Sequence, residues 1–425
     1  MLVKGWAPGM VQEFIGVVDI GTSKIACLIA AIGPGPRAPG PSRPAVRVIG
    51  VGHQRSRGVK AGVIADLDQA EQAVRAAIAQ AERMAGVTLD HVRVSVSCGR
   101  LRSLNFAAST DVETGIVTEQ DIARVLAGGE AFAERDGRAL VHMNQIALRL
   151  DGAPGIGDPR GMAAGKFSMD LHAVTADEAP LRNLRLVIER CYLSPTCILI
   201  APYASGLAVT SEEERRLGVT AIDMGGGTTT LAMFAEGELI HADAMPLGGN
   251  HVTLDIARTL HTPLAEAERI KALYGTLVSA QSDQHDLFSY PLTGEEDGSV
   301  GHATKARLGE IIRVRIEALF DQVRKRIEAC GVAVFAGGRV VLTGGGSQLV
   351  GLADFAANEL GRPVRVAGPH AVSGLPPVAS SPPFATVVGL LSATMPQVGA
   401  SRFRGRDRSP QGYLGRVGAW LRQGF

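Results

Sequence analysis

The chain has 425 residues, 46% of them apolar and 20% charged, with a formal net charge of +1. That length predicts two to four folding units, the apolar content excludes global disorder, and near-neutrality gives no global case for a nucleic-acid partner. Five scattered cysteines (27, 98, 191, 197 and 330), odd in number and without a CxxC pair, point to a reducing compartment and away from a disulfide framework or a zinc site.

The first residues include Lys4 and some apolar positions but no apolar run with a cleavage site, so no signal peptide is expected. "FIGVVDIGTSKIACLIAAI" (14–32) reads as strand, tight polar turn, strand, a β-hairpin with Asp19 late in its first strand. The Pro/Gly-rich 33–44 reads as an insertion at a hairpin tip. Leu67–Ala85 has helical periodicity and "VRVSVS" (92–97) alternates as a strand. "VTEQDIARVLAGGEAFA" (117–133) predicts a helix capped by Thr118, with Asp121 completing a loose capping box. Residues 151–165 read as a loop and 179–193 as a helix. Residues 191–210 carry no charge and superficially pass the length test for a membrane span, but Pro195, Pro202 and their Ser, Thr and Tyr residues make them a buried strand, turn and helix.

"GVTAIDMGGGTTTLAMFAEGELI" (218–240) repeats the grammar of the first hairpin around Asp223. A strand-Asp-x-Gly-turn-strand unit recurring half a chain later suggests a duplicated fold. Helices follow over 251–275 and 305–330, with polar 281–303 between them as a loop or short hairpin. "RVVLTGGGSQLVGLADFAANEL" (339–360) reads as strand, triple-Gly turn and helix, and regular structure is expected to end near Ala393.

A phosphate needs several backbone N–H groups aimed at one point, and glycine lets the backbone come that close. Any one of these turns alone is compatible with an ordinary hairpin. Together they suit a clamp on a polyphosphate from opposite sides, with Asp19 and Asp223 facing Mg²⁺ largely through water, and with hydroxyls from Thr22, Ser23, Thr228 and Thr229. No GxxxxGK[ST] is present and no GxGxxG follows the first strand, so neither a P-loop nor a dinucleotide fold is supported.

"VVDIGTSKI", "AIDMGGGTTTLAMF" and "VVLTGGGSQLVGL" resemble the two phosphate motifs and the adenosine motif of the actin/sugar-kinase/heat-shock-chaperone ATPase superfamily. The resemblance is closer to the FtsA family of bacterial cell division, over roughly 11–395. It is carried by "VRVSVSCGRLRSLN" (92–105), "VTEQDIARVL" (117–126), "MPLGGNHVTLDIARTL" (245–260) and "AEAERIKALYG" (265–275). It implies an α/β, two-lobed actin-like fold with a family-specific inserted subdomain in place of the usual small one. The implied division is 11–87 and 167–210 for the first lobe, with 88–166 inserted. The second lobe would take 211–250 and 336–395 as its large subdomain and 251–335 as its small one. A basic linker (396–411) and a membrane-targeting helix (412–425) would follow.

The resemblance also implies a site. Asp19, Gly21, Thr22, Ser23 and Lys24 would hold the outer phosphates of ATP, opposed by Asp223, Gly225, Gly226, Gly227 and Thr228. Gly344, Gly345, Gly346 and Ser347 would pack along the adenosine. Glu268 and Lys271 match the ExxK pair for the ribose hydroxyls, on one helix face at i,i+3, with a surface ion pair as the plainer alternative. Gly248 and Gly249 match a close-approach turn near the phosphate tail. Actin-like ATPases often place an acid or Gln beside the attacking water, but the matching dipeptide here is Ala201-Pro202, and alanine cannot orient or deprotonate water. The expectation is a slow ATPase or nucleotide-dependent assembly switch.

Helix 305–330 presents an apolar stripe (Ile311, Ile312, Val314, Leu319, Phe320, Val323) with Arg313, Arg315, Glu317 and Arg324 beside it. The resemblance implies that this region takes the C-terminal peptide of FtsZ, whose acidic and apolar residues suit arginines beside an apolar groove. A solvated helix face is the alternative reading. The family also implies self-assembly into filaments and recruitment of later division proteins.

"GYLGRVGAWLRQGF" (412–425), wound as a helix, aligns Tyr413, Leu414, Val417, Trp420, Leu421 and Phe425, with Arg416 and Arg422 at the flanks. That is the makeup of an interfacial amphipathic helix, set behind Arg402, Arg404, Arg406 and Arg408. It predicts peripheral attachment to the inner face of the cell membrane at the division site. A small-molecule kinase of the superfamily would need a catalytic aspartate for which no motif is assigned, a chaperone would need a substrate domain after the ATPase, and the basic tail argues against a pilus-assembly homologue.

Overall fold

The computed structural model describes residues 13–33, 45–294 and 299–393. β1 (Glu13–Ile20) and β2 (Lys24–Gly33) form the expected hairpin, in register so that Asp19 stands opposite Ala26. β3 (Ala45–Arg55) continues the meander, the short pair β4 (Val59–Lys60) and β5 (Val63–Ile64) follows, and α1 (Leu67–Ala85) folds back over β3. Asp66 caps α1, accepting from Gln69 N at 3.0 Å, and Gly86 ends it at φ +69°. Its small apolar face, Ala70, Val74, Ala77 and Ala81, is fully buried. β6 (His91–Val96) then joins β1 in parallel.

The chain leaves this sheet to build a separate unit. β7 (Arg102–Asp111), α2 (Glu119–Ala133), β8 (Arg138–Leu150) and β9 (Lys166–Asp177) form a three-stranded sheet of order β7-β9-β8, with α2 packed on it around its own core. Thr118 N donates to the Asp121 carboxylate at 2.8 Å, the return bond of the expected capping box. The chain returns through α3 (Glu178–Arg190) to β10 (Ser194–Ile200), beside β6, and α4 (Ala201–Val209). The uncharged stretch 191–210 is thus an edge strand and a buried helix, and among the described residues no helix is long and apolar enough to cross a membrane.

After α5 (Glu212–Leu217) the plan repeats. β11 (Val219–Met224), β12 (Thr229–Ala235) and β13 (Glu238–Met245) form a second antiparallel meander. α6 (Gly249–Leu260), α7 (Leu264–Tyr274), the hairpin β14 (Leu287–Pro291)/β15 (Val300–Thr304) and α8 (Lys305–Ala329) build the subdomain above it. β16 (Val340–Thr343), α9 (Leu352–Leu360) and β17 (Val364–Val366) complete the sheet in parallel. The two large sheets therefore share one topology, β3-β2-β1-β6-β10 and β13-β12-β11-β16-β17. The weak repeat in the sequence is a duplication of the fold.

Three elements differ from the expected division. β6, expected within the insertion at 88–166, belongs to the first sheet, and β9, expected in the first lobe, is the central strand of the insertion. The last helix of the described residues, α10 (Ala385–Ser392), was expected in the second lobe with 336–395. It instead packs on the first sheet, where Phe384, Val387, Val388, Leu390 and Leu391 share a core with Val17, Leu28 and Val48. α4 makes the reciprocal crossing and packs on β11 and β12 of the second sheet. Each half thus lends a helix to the other. Residues 34–44 and 394–425, including the expected membrane residues Leu414, Arg416, Val417, Trp420, Leu421, Arg422 and Phe425, lie outside the described residues.

Candidate functional site

Between the lobes lies a cleft of about 570 Å³. At its floor the duplicated turns face each other. Gly21 N donates to Lys24 O at 3.0 Å, and Gly225 N donates to Thr228 O at 2.8 Å, so both turns close in the same way. They also touch. A methyl on Gly226 would meet Ser23 Oγ at 1.8 Å and one on Gly227 would meet Thr22 at 2.6 Å, so the triple glycine permits the approach of the lobes. Ser23 Oγ donates to Asn250 Oδ1 at 3.2 Å across the gap.

Asp19 and Asp223 end equivalent strands and both line the cleft. Ser95 donates to Asp19 at 2.5 Å and Thr386 to Asp223 at 2.9 Å. Burial raises the pKa of both, Asp223 to about 6, and lowers that of Lys24 to about 8, against the pull of the two aspartates. Two carboxylates face one ammonium. No third His, Cys, Asp or Glu joins them among the described residues, so the donor set fits a hard divalent cation held mostly through water rather than a protein cage.

Lys24 lines the cleft but is already engaged. Its Nζ donates to Pro383 O at 2.6 Å and sits 3.4 Å from the centre of the Phe384 ring. Gly248 and Gly249 begin α6 against the second turn. Gly249 N donates to Gly225 O at 2.9 Å and Asn250 N to Gly226 O at 2.8 Å, and a methyl on Gly248 would lie 2.4 Å from Gly225 O. Their close approach serves that turn. Higher in the cleft Lys271 donates to Glu268 at 2.7 Å and Thr253 at 2.8 Å, and Thr253 donates to Glu268. The expected pair is thus a local network open to the cleft. Gly344, Gly345 and Gly346 line the far wall with Ile316, Leu319, Leu349 and Val350.

Three expected positions do not line the cleft. Gly227 is turned against Thr22, Ser347 Oγ donates back to Gly344 O at 2.8 Å, and Thr229 Oγ1 donates to Leu247 O at 2.8 Å on the opposite face of its strand. Its neighbour Thr230 lines the cleft instead, paired with Asp223 across the hairpin, and its buried hydroxyl has no partner among the described residues. The signal for it was strand parity, since residues 228 and 230 share a face. Ser97, Gln348, Pro383 and Thr386 carried no comparable signal. Ala201 opens α4 at the cleft wall, where it offers only a methyl.

The expected partner face differs more. Ile311, Ile312, Phe320 and Val323 point into the core, Leu319 lies on the cleft wall and only Val314 is exposed, so that stripe forms no open groove. Arg313 donates to Leu277 O at 2.7 Å, and Arg315 pairs with Asp255 of α6 at 2.5 and 3.0 Å. Glu317 is exposed.

Duplicated sheets, exchanged helices and a cleft between two Asp-Gly turns define a two-lobed actin-like protein. Solved structures agree on the fold. A PilM-PilN type IV pilus biogenesis complex chain aligns at TM-score 0.62 and 16% identity, covering 90% of this chain and 99% of that one. MreB5 of Spiroplasma citri bound to AMPPNP aligns at TM-score 0.52 and 14% identity, covering 90% and 96%. The family described as "Cell division protein FtsA" matches residues 220–389, and "SHS2 domain inserted in FTSA" matches 98–175. The cell division protein FtsA of Rhizobium meliloti is 42% identical, covering 98% of this chain and 96% of its own length, and that of Escherichia coli K12 is 30% identical over 97% and 96%. The chain belongs to the FtsA family of cell division proteins.

Proposed function

We propose that the chain is an ATP-dependent assembly switch that polymerises and tethers FtsZ filaments to the inner face of the cytoplasmic membrane, through residues 412–425, and helps recruit later division proteins. The observation that carries the nucleotide reading is the pair of duplicated turns, Gly21–Lys24 and Gly225–Thr228, closing on one floor with Asp19 and Asp223 beside them. Asp19 and Asp223 would hold Mg²⁺ mostly through water, and Mg²⁺ would neutralise phosphate charge where the two carboxylates leave the floor short of positive charge. Glu268 and Lys271 suit ribose hydroxyls, and the wall of Gly344 to Gly346 with Ile316 and Leu319 suits an adenosine. Ala201 supports slow turnover over catalysis.

One short amphipathic helix binds a membrane weakly, so many tails must act together, and polymerisation supplies the number. Co-sedimentation with anionic liposomes, with and without residues 412–425, tests the tether. Loss of binding on truncation is expected, as is loss with Trp420→Glu. Unchanged binding of either variant overturns it.

A further inference from the structure

The phosphate end of the cleft is wired to α10, the last helix before the tail. Lys24 reaches from the first turn to the segment that starts α10, donating to Pro383 O at 2.6 Å with its ammonium 3.4 Å from the Phe384 ring centre. Thr386, in the first turn of α10, donates to Asp223 at 2.9 Å. Lys24, Asp223, Pro383 and Thr386 all line the cleft. Two groups that face a bound polyphosphate and its cation therefore already hold the N-terminal end of one helix.

That helix transmits displacement well. Ala385 to Leu391 are all buried. Gly389 meets α4 so closely that a methyl there would lie 1.8 Å from Ala204 O, so α10 slides or shifts as a unit with little slack. At its far end Arg93 Nη1 donates to Ala393 O at 3.0 Å, and residues 394–425 follow.

Resting on the reading of the cleft as a Mg–ATP site, we propose that the contact of Lys24 with Pro383 and Phe384 is a nucleotide-sensitive latch on α10. A neutral carbonyl and a ring face compete poorly with a polyanion for an ammonium. ATP draws Lys24 off Pro383, and the cation draws Asp223 away from Thr386. α10 loosens. ADP, lacking the outer phosphate, leaves the latch more nearly closed.

Hydrogen exchange of residues 385–393 in the full chain tests this, alongside direct binding of a fluorescent ATP analogue. In the unmutated protein Mg–ATP should speed exchange there about tenfold, the change in opening that losing one hydrogen bond to a charged donor produces, and Mg–ADP should do so less. Phe384→Leu, and separately Lys24→Met, should show the fast exchange without nucleotide. Exchange unmoved by ATP in a protein that binds it, or both variants exchanging like the parent, overturns the latch. Absence of nucleotide binding instead overturns the reading of the cleft on which it rests.

Discussion

Gly389 of α10 lies directly against the main chain of Ala204 on α4: a methyl at 389 would sit 1.8 Å from the Ala204 carbonyl oxygen and 2.4 Å from its carbon. The obstacle is backbone, which cannot swing aside as a side chain would. Each of these helices packs on the sheet of the other half, so their crossing holds the duplicated lobes together.

Gly389→Ala is therefore expected to destabilise the chain by about 1–3 kcal/mol, the range for overpacking a dense core. Chemical denaturation reads this as a lowered midpoint. A midpoint equal to that of the parent protein means the crossing opens freely.

Asp223 gives a pH signature. Its folded pKa of about 6 lies above its ordinary value of 3.8, because burial disfavours the charged form. Between those values the folded protein keeps a proton that the unfolded chain has released, so this group's contribution to stability falls as pH rises from about 4 to 6. Lys24 has the opposite relation. Its folded pKa of about 8 lies below 10.5, so its penalty is full below pH 8 and lifts as pH rises toward 10.5. Asp223→Asn should thus stabilise the nucleotide-free protein near pH 7, on the order of 2 kcal/mol, while weakening Mg–ATP binding. Denaturation and nucleotide titration of the same variant check both halves, and a destabilised Asp223→Asn contradicts the reading.

Much of this was legible in the sequence because strand-Asp-turn-strand is a local pattern, and it repeats around Asp19 and Asp223. Caps were equally local, as with Thr118 and Asp121. What failed was non-local. β9 alternates only in its first half and is buried on both faces from Leu171 to Ala176, a pattern that suits the centre of either sheet, so the insertion boundary fell on the wrong side of it. α10 follows second-lobe strands in order but buries Phe384 and Leu390 against the first lobe. Helix α8 showed a true apolar stripe, but periodicity does not say whether a stripe faces a core or a partner, and here Ile312 and Phe320 face the core. The choice of Thr229 over Thr230 was a parity error, decided by where the turn ends and β12 begins.

Thr230 carries a buried hydroxyl without a partner among the described residues, whereas the matching position of the first hairpin is Ala26. The fold does not demand the hydroxyl. Thr230→Val keeps the shape and removes the unpaired group, so the nucleotide-free protein should gain about 1 kcal/mol. A fall in its thermal midpoint would show that the hydroxyl is already satisfied.

Arg315 was expected to touch a partner, and it is bound to Asp255 between α8 and α6. Both side chains are partly exposed, so Arg315→Ala should cost only about 1 kcal/mol of stability. If Arg315 also contacts the FtsZ peptide, Arg315→Ala weakens peptide binding and Asp255→Ala, which frees the guanidinium, does not. Equal losses in both variants assign the pair to holding the helices together, and unchanged affinity in Arg315→Ala removes it from the peptide site. Fluorescence anisotropy with the labelled peptide separates these outcomes.

Ala201 is the last test, because it bears on whether this cleft hydrolyses or merely binds. It starts α4 at the cleft wall, where helix N-terminal N–H groups favour an anion. Wild-type turnover should fall well below the roughly 1–100 per second of kinases. Ala201→Glu places a carboxylate where the wall now offers a methyl, and should raise ATP hydrolysis about tenfold or more, toward the range a positioned base contributes. The helix terminus lowers the cost of the new charge, so the variant should fold and bind nucleotide as before. Fast hydrolysis by the parent chain, or none gained by a folded, nucleotide-binding Ala201→Glu, would place the limit on turnover elsewhere than at residue 201.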